Sequence, residues 1–422
     1  MSSQSLELDP NLRSAEARNF EEGLRRRIIG QDEAVQAVVD LYQVFCAGLN
    51  SPGHPVGNLL FLGPTGAGKT RMVEATAEVL FGDPHAVIKV NCAEFQHSHE
   101  IAKLIGSPPG YLGHRETRPL INTEALEQHH TDTLKISFLV FDEIEKAADA
   151  LWQLLLGILD KATLTLGDNQ RVDLSKTMIF MTSNLGGGEI MNLMTGRMGF
   201  APTLPESELP RFDEKMGLTA TAAAKRNFAP EFMNRIDKVV VFHPLRAEQL
   251  NQVLEIELGM VQQRVIETAK ERFQFRPTQP AKDFLLLKGT DIKYGARHLK
   301  RAIERYLTCP LACLLATGQV RSDDMILIDW DGETDGLQFS KEIACPILAV
   351  SSELPEVMTQ VAAASSGGLK VPYPATRTIA KDSLPDGTAV HAPNKLTRPR
   401  ANADEHKPKT HVQRVRAVAH PR

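Results

Sequence analysis

The stretch that decides the fold is Leu59-Leu60-Phe61-Leu62-Gly63-Pro64-Thr65-Gly66-Ala67-Gly68-Lys69-Thr70, an apolar run followed at once by a glycine-rich segment. Four apolar residues in a row are typical of a strand that is buried on both faces. The segment after them matches GxxxxGK(S/T), in which backbone N–H groups surround phosphates and a helix N-terminus favours their charge. In this pattern Lys69 reaches the terminal phosphates and Thr70 coordinates a metal ion. The sequence therefore predicts a site for ATP and Mg²⁺, and residues 63–70 are its P-loop.

Four further apolar runs alternate with helical patterns, and each is bounded by Gly, Pro or charged residues. Near-continuous apolarity is what parallel strands covered by helices on both faces require. We therefore predict an α/β fold with a five-stranded parallel sheet. The predicted strands cover residues 58–62, 86–90, 136–141, 177–182 and 239–242.

The pattern becomes helical after Pro244, with predicted helices at 248–270, 281–288 and 296–316 and one closing strand at 325–329. We predict an ATPase domain over residues 1–244, a small, mainly helical domain over 245–339 and a disordered basic tail over 340–422. The end of this tail, residues 370–422, carries 11 Lys or Arg against 4 Asp or Glu. Residues 186–218 contain three prolines and are predicted to form a long irregular surface insertion.

Composition excludes several classes of protein. The 422 residues are 42% hydrophobic and 24% charged, values that rule out a collagen-like or wholly disordered chain. No apolar run approaches the roughly 18 residues of a membrane span, and the N-terminus has no signal-peptide pattern, so we expect a cytoplasmic protein. The formal net charge of -4 gives no global reason to expect nucleic acid. Five scattered cysteines predict reduced thiols, and Cys309 and Cys313 are predicted to be buried.

A pair of carboxylates follows the third predicted strand. Phe138-Leu139-Val140-Phe141 is apolar, and Asp142 and Glu143 come directly after it. We expect Asp142 to hold Mg²⁺ and Glu143 to polarise the water that attacks the γ-phosphate. The alternative is an acidic pair that merely opens a helix. The P-loop one strand earlier favours the catalytic interpretation.

The chain resembles the AAA+ ATPases and, within them, the Clp family of ring-shaped unfoldases and chaperones, most closely the second ATPase module of ClpB. Seven segments agree in order over residues 15–330: Ile28-Ile29-Gly30-Gln31-Asp32-Glu33-Ala34-Val35, the P-loop, Gly110-Tyr111-Leu112-Gly113, Asp142-Glu143, Thr182-Ser183-Asn184, Asn234-Arg235-Ile236-Asp237 and Gly295-Ala296-Arg297.

This resemblance implies a role for individual residues of the chain. Ile28 and Ile29 would pack on adenine, Asn184 would sense the γ-phosphate and orient water, and Arg297 would contact the γ-phosphate from the small domain. Arg235 would enter the site of a neighbouring subunit, so that hydrolysis needs an oligomer, by resemblance a homo-hexamer. The alternative for Arg235 is a structural ion pair with Asp237.

Tyr111 resembles the aromatic residue of the family's pore loop, which grips a polypeptide by contact area without reading its sequence. The resemblance therefore implies unfolded or client polypeptides as partners. The family usually continues with acidic residues and paired glycines, whereas His114-Arg115-Glu116-Thr117-Arg118-Pro119 follows here. Met198-Gly199-Phe200 is similar to the loop with which protease-linked members dock on a peptidase, and an ordinary loop is the alternative.

The leading hypothesis is an ATPase that couples Mg-ATP hydrolysis in a ring to unfolding or remodelling of proteins. A single P-loop and the lack of a coiled-coil middle segment argue against the role of two-ring disaggregases. An ATP-gated binding switch or assembly scaffold, recruited through the tail or the insertion, is the second hypothesis. A nucleic-acid motor is the third, and it depends only on the basic tail.

Overall fold

The computed structural model describes residues 9, 12–107, 118–195, 209–290 and 295–341. Three predictions from the sequence fall outside these residues. They are the pore-loop role of Tyr111, the docking role of Met198, Gly199 and Phe200, and the disorder of the tail beyond residue 341.

The described residues contain ten strands, five of which form one parallel sheet in the order β2-β3-β6-β1-β7. The predicted five-stranded parallel sheet is therefore confirmed. Its central strand is the apolar run before the P-loop, and all of its residues are buried. The strands are β1 (Gly57–Leu62), β2 (Ile88–Asn91), β3 (Ser137–Asp142), β4 (Thr163–Thr165), β5 (Arg171–Asp173), β6 (Thr177–Ser183), β7 (Lys238–Val241), β8 (Gln274–Pro277), β9 (Met325–Asp329) and β10 (Gln338–Lys341).

Helices cover both faces of the sheet, and alternate residues of β1 enter two separate cores. Leu60 and Leu62 pack into one core and Leu59 and Phe61 into the other, as the two-residue period of a strand requires. The helices of the described residues are α1 (Ala15–Arg25), α2 (Asp32–Cys46), α3 (Lys69–Phe81), α4 (Ala102–Ile105), α5 (Thr123–Glu127), α6 (Asp149–Lys161), α7 (Gly187–Thr195), α8 (Leu209–Asn227), α9 (Pro230–Met233), α10 (Ala247–Thr268), α11 (Gln279–Gly289), α12 (Ala296–Ile303) and α13 (Cys309–Ala316).

The prediction of an irregular surface insertion over residues 186–218 is wrong for the part that the structure describes. Helix α7 and the first half of α8 lie in this stretch. Ile190, Phe212 and Met216 are buried in the core that also contains Leu60. The apolar spacing of Phe212, Met216 and Ala220 places one face of α8 in this core, despite the three prolines of the stretch.

The small domain contains helices α10 to α13 and a three-stranded sheet in the order β10-β9-β8. The strand predicted at 325–329 is present as β9, whereas β8 and β10 were not predicted. The predicted helix 296–316 is continuous but includes a π-helical turn at Glu304–Thr308. Cys309 and Cys313 are exposed, so the prediction that they are buried is wrong. In the described part of the chain, no helix is both long and apolar enough to cross a membrane.

Candidate functional site

The P-loop connects the end of β1 to the first residue of α3, at the carboxyl edge of the parallel sheet. Gly63 has a φ of 140° and lies against the next strand. A Cβ atom at Gly63 would lie 2.4 Å from the carbonyl oxygen of Phe242, which is backbone and cannot move aside. Gly68 has a φ of 99° and precedes α3. Glycine therefore allows the loop to turn tightly and to point its N–H groups toward a phosphate.

Lys69 is the cation at the centre of the site. Its side chain is buried, and its ammonium donates to the carbonyl oxygens of Gly63 at 2.7 Å and Pro64 at 3.0 Å. It also donates to Oδ1 of Asn184 at 2.9 Å. Burial lowers the pKa of Lys69 to about 8, although the carboxylates of Glu145, Asp142 and Glu143 oppose this shift. An anion bound in the loop would raise this pKa and so favour the charged ammonium of Lys69.

Asp142 lies at the end of β3, next to the end of β6, and Thr182 joins the two strand ends. The hydroxyl of Thr182 donates to Oδ1 of Asp142 and accepts the backbone N–H of Glu143 at 3.1 Å. The hydroxyl of Thr70 lies 3.3 Å from the same Oδ1 atom of Asp142. A hydroxyl and a carboxylate side by side are oxygen ligands of the kind that Mg²⁺ prefers, so these residues fit that ion.

Asn184, directly after β6, connects the cation to the second carboxylate. Its Oδ1 accepts from Lys69, and its Nδ2 lies 3.5 Å from Oε1 of Glu143. Its backbone N–H donates to Oε1 of Glu145 at 3.2 Å, while Oε2 of Glu145 is buried without a hydrogen-bond partner among the described residues. Glu143 has a φ of 57°, a strained conformation for a residue with a side chain. The strain and the contacts single out Glu143 as a catalytic candidate.

A cleft of about 490 Å³ opens beside these groups, and its lining includes Thr70, Asp142, Glu143 and Arg297. Arg297 lies in the first turn of α12, and the neighbouring backbone N–H of Ala296 donates to the carbonyl oxygen of Gly66 at 3.3 Å. The small domain therefore reaches the P-loop. The cleft has three further cations that the sequence did not single out, namely Lys89, Lys103 and Arg118. With Arg297 they make four cations, against the three carboxylates of Glu94, Asp142 and Glu143 in the same lining.

Two family models match this chain, one in each domain. A family model described as an AAA domain (Cdc48 subfamily) matches residues 54–239. A second, described as the C-terminal, D2-small domain of ClpB protein, matches residues 245–328. The chain belongs to the Clp family of AAA+ ATPases. It is thus a nucleotide-binding ATPase.

Individual relatives of this Clp ATPase are similar over most of the described residues. Chaperone protein ClpB 1 of Thermosynechococcus vestitus is 36% identical over 325 residues, which cover 77% of this chain and 35% of that protein. ClpB of Pseudomonas putida is 39% identical over 314 residues, 74% of this chain and 34% of that protein. The chain thus spans about a third of the length of these relatives. A closed-state cryo-EM reconstruction of Hsp104 with ATPγS and FITC-casein matches with a TM-score of 0.63 and 28% identity, over 78% of this chain and 53% of that one.

Four of the predicted site residues, Thr70, Asp142, Glu143 and Arg297, line the cleft. Residues 63–69 and Asn184 are linked to it through the contacts of Lys69 and Asn184, whereas Ile28, Ile29 and Arg235 lie elsewhere. Ile28 is buried, and Ile29 is half-buried in the segment between α1 and α2. Arg235 follows α9, where its Nη1 donates to the carbonyl oxygen of Glu231 at 2.8 Å and its Nε lies 3.9 Å from Asp160. Asp237, the partner considered from the sequence, instead accepts the backbone N–H of Asn58 at 2.7 Å. A role for Arg235 in a neighbouring subunit stays a prediction.

Proposed function

We propose that this Clp ATPase forms a homo-hexameric ring in the cytoplasm and couples Mg-ATP hydrolysis to the unfolding or remodelling of polypeptides that pass Tyr111. The contacts from Lys69 through Asn184 to Glu143 support the hydrolytic part. The side chain of Asn184 contacts both the phosphate-binding cation of Lys69 and the candidate base, Glu143. The structural similarity to Hsp104 bound to casein supports the polypeptide part.

Five residues in or beside the cleft have a proposed task in this reaction. Thr70 and Asp142 hold Mg²⁺, which when bound neutralises charge on the phosphate oxygens. Glu143 accepts a proton from the attacking water, and Asn184 orients that water. Arg297 stabilises the γ-phosphate from the small domain. Its short link to the P-loop, through Ala296 and Gly66, supports this task.

Two tasks are proposed for residues that lie elsewhere. Ile28 and Ile29 pack against adenine, since they belong to the segment that runs directly beside the P-loop, to which Gln31 is hydrogen-bonded. Arg235 completes the site of the adjacent subunit in the ring. We also propose a large domain over residues 1–244 and a small domain over 245–339, and the change from one family model to the other between residues 239 and 245 supports the boundary between them.

The test is steady-state ATP turnover with and without casein, an unfolded polypeptide. We expect casein to stimulate the wild-type protein severalfold. The Tyr111→Ala variant should keep basal turnover but lose stimulation, because it lacks the aromatic side chain that grips the substrate polypeptide. Tyr111→Phe keeps an aromatic side chain and should retain stimulation. Glu143→Gln provides the blank, since it should bind ATP and hydrolyse it at least a hundredfold more slowly. Turnover that ignores casein would reject threading and favour an ATP-gated switch or scaffold.

A further inference from the structure

Two consecutive carbonyl oxygens of the P-loop are bound to groups outside the large sheet. The carbonyl oxygen of Gly66 accepts the backbone N–H of Ala296, in the small domain, at 3.3 Å. The carbonyl oxygen of Ala67 accepts the side-chain amide of Gln31 at 3.2 Å. The P-loop is therefore held on its outer side, away from the face that receives phosphate.

Gln31 extends the second of these contacts to the connection between the two domains. Its Nε2 also donates to the carbonyl oxygen of His243 at 2.9 Å, and its Oε1 accepts the backbone N–H of His243 at 3.2 Å. His243 lies between β7, the last strand of the large sheet, and α10, the first helix of the small domain. Gln31 is only 5% exposed, so these three hydrogen bonds form away from competing water.

The surroundings of Gln31 tie the same segment to the small domain. Gly30 has a φ of 73°, and a Cβ atom there would lie 2.4 Å from Nε2 of Gln249 in α10. Gln249 in turn accepts the backbone N–H of Arg246 at 2.9 Å. Arg246 forms an ion pair with Asp213 of α8, in the large domain, at 2.9 Å. The connection between the domains is thus hydrogen-bonded to Gln31 through His243 and joined to α8 by the ion pair of Arg246.

We propose that Gln31 is a positioning residue that fixes the P-loop relative to the connection between the domains. Nucleotide affinity and the placement of the small domain then both depend on one side-chain amide. This inference requires the ATPase activity and does not require threading. This role accounts for a glutamine at position 31, because two carbonyl oxygens and one N–H group require two donors and one acceptor from a single side chain. A glutamate would face two carbonyl oxygens without those donors, and a leucine would leave three backbone groups without a side-chain partner.

The first experiment compares Gln31→Leu with Gln262→Leu in the full-length protein. Gln262 is a matched control because it makes the same kind of bridge inside the small domain, with Nε2 donating to the carbonyl oxygen of Phe273 at 3.0 Å and Oε1 accepting the N–H of Phe275 at 2.9 Å. Both variants should lower the melting temperature. Only Gln31→Leu should raise the dissociation constant of a fluorescent ATP analogue and the KM for ATP, by about tenfold, with kcat changed less than twofold. Equal effects of the two variants on ATP affinity, or no effect of Gln31→Leu, would overturn the proposal.

The second experiment uses the wild-type protein and therefore does not depend on the folding of a variant. Hydrogen–deuterium exchange of the His243 amide is measured with and without ATPγS. We expect ATPγS to slow this exchange severalfold, because an ordered P-loop steadies the amide of Gln31 that holds His243. The Phe275 amide, bound to Gln262, should exchange at the same rate in both samples. Unchanged exchange at His243, or equal slowing at both amides, would reject the coupling.

Discussion

The hydroxyl of Thr182 supports two residues of the site at once, since it donates to the carboxylate of Asp142 and accepts the backbone N–H of Glu143. Thr182→Val keeps the volume of the buried side chain and removes both contacts. We expect kcat to fall about tenfold, equivalent to about 1.4 kcal/mol of transition-state stabilisation. The Mg²⁺ concentration for half-maximal activity should rise, because Asp142 loses a contact that orients it.

Thr76→Val is the matched control for this prediction. Thr76 is equally buried, and its hydroxyl donates to the carbonyl oxygen of Met72 within α3. Activity assays over a Mg²⁺ titration measure both variants. A Thr182→Val protein with the Mg²⁺ dependence of the control would contradict the assigned contact.

Lys69 predicts how ATP affinity depends on pH. Its pKa of about 8 without nucleotide lies below the ordinary value, and bound phosphates would raise that pKa. Binding above pH 8 must therefore take up a proton, so ATP affinity should be level below pH 8 and fall above it, by up to tenfold per pH unit. Calorimetry in two buffers of different ionisation enthalpy would detect the proton uptake. Equal affinities at pH 7.5 and 9.5 would show that Lys69 keeps its proton.

The same shift has the opposite sign for the stability of the nucleotide-free protein. An unfolded Lys69 would hold its proton up to a pH near its ordinary pKa, whereas the folded one releases it from about pH 8. The unfolded state binds more protons in this interval, so the contribution of Lys69 to folding becomes more favourable as pH rises through it.

At the level of elements, the strands that the sequence reveals most clearly are β1, β3 and β6, which are buried on both faces because a covered parallel sheet leaves few polar positions. The two edge strands β2 and β7 are less buried, and the apolar runs at residues 86–90 and 239–242 predict them. Strands β8 and β10 have one buried residue between them and the remainder exposed or half-exposed, so their sequences lack the apolar signal. Pairing with β9, a tertiary contact, makes them strands.

The site residues also fall into two groups, those that a local sequence pattern predicts and those that only the fold brings together. Asp142 and Asn184 could be predicted because each directly follows an apolar strand, and neighbouring parallel strands bring their ends together. The contacts of Gln31 with Ala67 and His243 span 36 and 212 positions of sequence, and no local pattern reports them. Lys89 and Lys103 likewise enter the cleft through the packing of separate segments.

Arg235 lies just after the short helix α9, and an aromatic cluster holds this helix in position through Phe232. The ring of Phe232 lies 4.7 Å from that of Trp152 in α6 and 5.3 Å from that of Phe228 after α8. Because Phe232 is fully buried, Phe232→Ala should lower the free energy of unfolding by about 3–5 kcal/mol. Leu218→Ala, at a position 67% exposed on α8, should change it by less than about 0.5 kcal/mol. Denaturant titration of the nucleotide-free protein compares the two, and similar midpoints would contradict the packing.

For the whole molecule, the position of Arg235 outside the cleft lining predicts complementation between subunits. Arg235→Ala retains a complete set of cleft residues, and Glu143→Gln retains Arg235. Each variant alone should turn over ATP at least a hundredfold more slowly than the wild type. Mixed rings should recover activity wherever the arginine of one subunit meets the intact cleft of another.

Arg226→Ala serves as the control for this experiment, because Arg226 is exposed and forms an exposed ion pair with Glu189 at 3.6 Å. This variant should retain wild-type turnover on its own. ATP turnover is measured across mixing ratios at fixed total protein. A mixture of Arg235→Ala and Glu143→Gln no more active than its components would place Arg235 outside the catalytic unit.

Among the described residues, exposed thiols lie on both sides of the connection between the domains. Cys46 ends α2 in the large domain, and Cys309 and Cys313 lie in α13 of the small domain, whereas Cys92 is buried, and burial raises its pKa well above the ordinary value. Although Cys46 is exposed, partial desolvation of its thiol raises its pKa, so maleimide should react with α13 first. Sequential labelling with a donor and an acceptor dye would then convert the native cysteines into an optical ruler across the molecule, calibrated against variants that lack one thiol.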